Sequence, residues 1–131
     1  MSIIKNHTAE ILIVIFFIIT YLFSVLEKLA DWKGTVAYYT IHFSKTILQK
    51  IIPILLINIV VFEIATVFLL TLGLYYLVTQ NDLLIAKVGL EISAITLLQF
   101  LVGQRIAKDY PGAMNITVYF MLNIIGIYLL T

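Results

Sequence analysis

Four runs of mainly apolar residues dominate the sequence, at residues 11–29, 51–78, 83–102 and 113–131. About 20 such residues suffice for a helix to cross roughly 30 Å of hydrocarbon, so each run is long enough to span a bilayer. Composition agrees. The chain has 131 residues, 63% hydrophobic and 11% charged, against about 45–50% apolar and about 25% charged in a soluble domain. A soluble fold of this size would leave much of that apolar surface facing water.

The connections between the runs set the topology. The second and third are short, at residues 79–82 and 103–112, and allow only antiparallel neighbours. The expected fold is all-α: a single domain over residues 1–131 forming an integral membrane, up-and-down four-helix bundle. Pro53 falls in the first turn of the second span, where its missing N–H costs little. The break Tyr110-Pro111-Gly112 is expected to precede the fourth span.

The longest connection, residues 30–50, carries Val36, Tyr39, Phe43 and Ile47 at helical spacing, with Lys45 and Lys50 among them. This predicts a short amphipathic helix between the first two spans, lying at the interface with its aromatic rings at headgroup depth. The same segment packed as a lid over the bundle mouth is an equal alternative. Lys28, Lys33, Lys45, Lys50, Arg105 and Lys108 fall on the side of the first and third connections, against Lys5 and Lys87 on the other. That bias favours a cytoplasmic first loop with both termini outside. No small-x-small cleavage pattern follows the first run, which therefore reads as a retained anchor.

Several functions lack their chemistry. Lys+Arg 8 against Asp+Glu 7 leaves a net charge of +1, so there is no broad basic face for nucleic acid. The absence of Cys excludes disulfides, thiolate metal sites and dithiol redox chemistry in this chain. His7 and His42 lie outside the confident spans, which argues against an intramembrane bis-His haem. His42, beside Lys45, reads as a solvated interface residue. Asn6-His7-Thr8 and Asn115-Ile116-Thr117 match the glycosylation pattern, but so short a pattern is frequent by chance. No nucleophile with a base, metal-ligand set or phosphate loop is evident, so nothing indicates an intrinsic enzyme or an intrinsic cofactor.

Ionisable residues inside a span need a partner, a neutral form or a watery cavity. Lys87 and Glu91 are four apart on the third span and are expected to form an intramembrane ion pair. Glu63 has no charged residue within a turn of it on its own span. At about 1.5 Å per residue it lies roughly 24 Å from the second connection, level with Gln99, while Arg105 lies about 9 Å further along. Arg105 is long enough to reach back. Glu27 and Lys28 end the first span at the same mouth. Glu27, Lys28, Glu63, Gln99, Gln104 and Arg105 thus form the candidate ligand-binding cluster. It reads either as a network that only fixes helix register or as a small site for a polar headgroup or quinone carbonyl, with Glu63 able to exchange a proton.

Phe23-Ser24-Val25-Leu26-Glu27-Lys28-Leu29, followed by Trp32, resembles the end of the first helix in the DoxX family of small four-span membrane proteins. His42-Phe43-Ser44-Lys45-Thr46 and the stretch from Pro53 to Glu63 carry further likeness. The most specific match is the run from Phe100 through Gly103-Gln104-Arg105 to Tyr110, which is similar to forms of this family in Bacteroidetes-type bacteria. The resemblance implies a protein of the bacterial inner membrane. It implies much less about activity: the family is named for association with a terminal quinol oxidase and a related thiosulfate:quinone oxidoreductase, while most members have no settled function. Many relatives carry an Arg early in the first helix, where this chain has Glu10 and the apolar run 11–19, so a site built on that Arg is not carried over.

The expectation is therefore an accessory or small subunit of a larger membrane complex, binding a quinone or lipid. The competing expectation is a proton-coupled transporter or channel acting as a homo-oligomer through Glu63 and Glu91.

Overall fold

A computed structural model describes residues 7–131; Lys5 and Asn6, which entered the charge count and a glycosylation pattern above, lie outside them. The fold is all-α. The helices are α1 (Thr8–Ala30), α2 (Trp32–His42), α3 (Ile52–Gln80), α4 (Leu84–Ile106) and α5 (Tyr110–Leu130), with a short 3-10 turn, Gln49–Ile51, leading into α3. Among the described residues, α1, α4, α5 and the stretch Gln49–Gln80 containing α3 are long and apolar enough to cross a membrane. The protein is thus a multi-pass membrane bundle with an additional helix between the first two spans.

Each spanning helix buries a stripe at three- and four-residue spacing. On α1 the stripe is Glu10, Ile13, Val14, Phe17, Tyr21, Val25 and Lys28. On α3 it includes Leu56, Val60, Glu63, Thr66, Leu70 and Gly73. The remaining faces are also apolar: Leu12, Phe68 and Val118 are all at least 60% exposed, as expected where lipid rather than water is the surroundings. α3 lies between α1 and α4, α4 packs on α5, and α5 closes the ring against α1.

The α3–α4 hairpin is tight. Asn81 ends α3 in the left-handed conformation at φ 53°, and the Asp82 N–H donates back to Tyr76 O at 3.2 Å, a helix stop that Asn tolerates. The hairpin legs then approach closely at Gly73, where a Cβ would lie 2.4 Å from the Ala86 backbone nitrogen. His7 ties the start of α1 to the same end of the bundle. Its Nδ1 lies 2.6 Å from Glu10 Oε2 and its Nε2 lies 3.0 Å from Asn81 Oδ1.

Two boundaries differ from those expected. α5 begins at Tyr110 rather than near residue 113, because Asp109 caps it, its Oδ1 accepting from Gly112 N at 2.9 Å, and Pro111 fits the first turn of a helix. α2 ends at His42 rather than extending its apolar stripe through Ile47. The backbone turns at Lys45, with φ 65°, so Phe43 is buried against Ile52 and Leu56 while Ile47 is 84% exposed.

Candidate functional site

The most buried ionisable residue, Glu63, has 0% of its surface exposed, and its partner is Lys28. The Lys28 Nζ lies 3.0 Å from Glu63 Oε1 and donates to Ser24 Oγ, one turn back on α1, at 2.5 Å. It also sits over the Phe100 ring, 5.9 Å from the centroid. The ammonium approaches off the hydrogen-bonding direction, and neither Glu63 oxygen accepts a hydrogen bond.

Helix geometry explains the pairing. Starting from the His7–Asn81 contact, Lys28 lies about 32 Å up α1, Glu63 about 27 Å along α3 and Arg105 about 36 Å along α4. Lys28 is therefore nearer in level to the carboxylate than Arg105, and it falls on the buried stripe of α1. Arg105 is exposed and places its guanidinium over the Tyr110 ring, 5.2 Å from the centroid.

A cleft of about 670 Å³ opens beside this pair, between α3 and α4 beneath α2. Lys28, Tyr39, Asn58, Gln99 and Gln104 supply polar groups to its wall, and Phe43, Leu55, Ile95 and Leu98 supply apolar surface. Glu63 stands behind Lys28 and does not reach the wall. Asn58 Nδ2 donates to Gln99 Oε1 at 3.0 Å. His42 Nε2 lies 2.9 Å from Gln104 Oε1 and 3.6 Å from Asp109 Oδ2; two facing oxygens make this nitrogen the donor. α2 is thereby latched to the α4–α5 connection, with Tyr38 stacked on the His42 ring at 5.9 Å. Burial pushes the Tyr39 hydroxyl above its ordinary value, and the neighbouring Tyr38, Glu63 and Glu27 act in the same direction.

Of the residues singled out from sequence, Lys28, Gln99 and Gln104 line this cleft and Glu63 backs it. Glu27 and Arg105 are exposed and do not line it. Lys87 and Glu91 form no ion pair: Lys87 is half-buried in the first turns of α4 and Glu91 is exposed. Their order, Lys before Glu, is the weaker arrangement at this spacing. His42 is half-buried and hydrogen-bonded rather than solvated. Ser24, Tyr39 and Asn58 were missed. Ser24 was findable, because it is four residues before Lys28 on the same helix face.

No protein-family model, curated protein or solved structure matches the chain.

Other buried polar groups tie helices together away from the cleft. The Tyr21 hydroxyl lies 2.8 Å from Ser93 Oγ, linking α1 to α4. Asn123 Nδ2 donates to Leu90 O at 2.9 Å, linking α5 to α4. Among the described residues no group of three His, Cys, Asp or Glu is placed to hold a metal ion. What the arrangement offers is a mostly apolar cleft with a few polar groups in its wall, among them Lys28, which is backed by the Glu63 carboxylate.

Proposed function

We propose that this protein binds a lipid-like molecule, such as a quinone or a lipid, in the cleft at its bundle mouth, and acts as an accessory or small subunit of a larger membrane complex. The observation that carries this reading is the cleft itself: about 670 Å³, mostly apolar in its walls and polar at Lys28, Gln99 and Gln104. Such a combination suits an amphipathic ligand, with the walls supplying affinity and a few polar groups fixing orientation. The resemblance to the DoxX family adds the bacterial inner membrane as location and respiratory electron transfer as context. Purification in mild detergent followed by extraction and mass spectrometry tests the proposal. A quinone or lipid should co-purify, and Leu98→Trp, which fills the cleft, should remove it. A bare monomer with neither ligand nor partner would overturn the reading.

The full burial of Glu63 without a hydrogen-bond donor favours a second reading, proton-coupled transport by an oligomer. It requires gradient-dependent uptake in proteoliposomes that disappears in Glu63→Gln.

A further inference from the structure

The polar groups of the cleft wall divide unequally into donors and acceptors. Gln99 Oε1 is taken by Asn58 Nδ2 and Gln104 Oε1 by His42 Nε2. The carboxylate of Glu63 is shielded behind Lys28. The amino groups of Gln99 and Gln104 and the hydroxyl of Tyr39 make no hydrogen bond among the described residues. Lys28 has three N–H groups; one is used by Ser24, and the ammonium lies 3.0 Å from Glu63 Oε1 without donating to it. The wall therefore presents more unused donors than unused acceptors, Asn58 Oδ1 being the one amide oxygen there without a hydrogen bond among the described residues.

Charge narrows the choice further. Among the described residues Lys28 is the one basic side chain in the wall, and the Glu63 carboxylate lies 3.0 Å from it. A phosphate head would bring an uncompensated negative charge into an apolar cleft, whose desolvation cost is met only by strong pairing. An uncharged carbonyl or ester oxygen meets the same donors without that cost.

We infer that the cleft selects an apolar-chained molecule whose head is uncharged and rich in carbonyl or ester oxygen acceptors, and disfavours phosphate-headed lipids. Lys28, Gln99 and Gln104 hold the head. The chain leaves sideways toward lipid past Ile95, Leu98 and Val102, each at least 45% exposed. Glu63 determines selectivity by cancelling the charge of Lys28 rather than by touching the ligand. This inference rests on the lipid-binding reading above and adds the chemistry of the head.

Trp32 supplies the readout. It is the single tryptophan of the chain and packs against the cluster of Phe43, Ile52 and Leu56, all of which border the cleft. In non-ionic detergent, saturable changes in Trp32 fluorescence are followed on addition of dioctanoylglycerol, decyl-benzoquinone or dioctanoyl phosphatidylglycerol. At least one uncharged probe should bind about tenfold more tightly than the phosphatidylglycerol, and the one preferred identifies ester lipid or quinone as the source. Glu63→Gln should shift the ratio about tenfold toward phosphatidylglycerol. Gln104→Leu, a half-buried position outside the ion pair, should weaken the uncharged probes about fivefold or more, which keeps the test decisive if Glu63→Gln does not fold. Preference of the unaltered protein for phosphatidylglycerol would overturn the selectivity while leaving lipid binding in place. Absence of saturable binding by all three probes would overturn the lipid-binding reading itself.

Discussion

Lys28 and Glu63 meet at 3.0 Å across the α1–α3 interface, yet the carboxylate accepts no hydrogen bond from any neighbour. Most of the compensation for burying two charges thus comes from their mutual attraction, the arrangement in which loss of one partner is most costly. It ties the end of α1 to the middle of α3 and sets the charge at the back of the cleft.

Lys28→Met or Glu63→Leu alone should destabilise the bundle by about 3–5 kcal/mol, because each leaves an uncompensated buried charge. The double variant should recover most of that loss, since two apolar side chains replace the pair. Reversible unfolding in mixed micelles would measure all three. Additive losses in the double variant would show that the pair is not coupled.

The close approach of α3 and α4 makes Gly73 intolerant of enlargement. A Cβ there would lie 2.5 Å from Ala86 Cα as well as 2.4 Å from its nitrogen, both backbone atoms that cannot rotate away. Gly73→Ala should cost about 1–3 kcal/mol by forcing the hairpin apart. Gly103→Ala, whose new Cβ would come no nearer than 3.4 Å to the Phe43 ring, should cost much less. Thermal unfolding of the two variants side by side makes the comparison.

The number of spans, the antiparallel connections and the Lys28–Glu63–Gln99–Gln104 grouping were legible in the sequence, because helical periodicity and rise per residue locate side chains to within about a turn. The partner of Glu63 was harder to choose. Counting from the α3–α4 connection alone brings Arg105 into reach, whereas the His7–Asn81 contact, which aligns α1 with α3, depends on tertiary packing. The end of α2 was also hidden, since Ile47 continues a helical pattern that the left-handed Lys45 interrupts. His42 acquires its role from Gln104 and Asp109, more than sixty residues away, a distance over which local pattern carries no signal.

The Tyr21–Ser93 contact at 2.8 Å is a buried hydroxyl pair between α1 and α4. Tyr21→Phe and Ser93→Ala should each cost stability, and their double-mutant cycle should give a coupling of about 0.6 kcal/mol, typical of side-chain hydrogen bonds within membrane proteins. A coupling of zero would mean that other partners replace the bond.

Tyr39 predicts an alkaline weakness. Its hydroxyl is held above the ordinary value of 10.0, first by burial and then by Tyr38, Glu63 and Glu27. Below pH 10 the residue is protonated in both folded and unfolded chains and adds no pH dependence. Above pH 10 the unfolded chain releases this proton more readily, so stability falls until the folded-state value is passed. Unfolding temperatures between pH 9 and 11 should therefore decline less steeply in Tyr39→Phe than in the unaltered protein. Equal slopes would remove Tyr39 from the account.

Asp109 has two separable roles, which a pair of variants resolves. Its Oδ1 caps α5 through Gly112 N at 2.9 Å, and its Oδ2 lies 3.6 Å from His42 Nε2 on α2. Asp109→Ala removes both and should cost about 0.5–2 kcal/mol, mostly from the lost cap. Asp109→Asn retains a side-chain oxygen for the cap and removes only the charge facing His42. It should therefore preserve most of the stability while loosening α2 from the α4–α5 connection. Hydrogen exchange over residues 32–42, compared with exchange at the start of α5, distinguishes these effects: faster exchange in α2 alone is expected for Asp109→Asn, and faster exchange in both for Asp109→Ala. If Asp109→Asn leaves α2 as protected as before, the His42–Gln104 bond at 2.9 Å is sufficient to hold the latch, and the carboxylate serves α5 only.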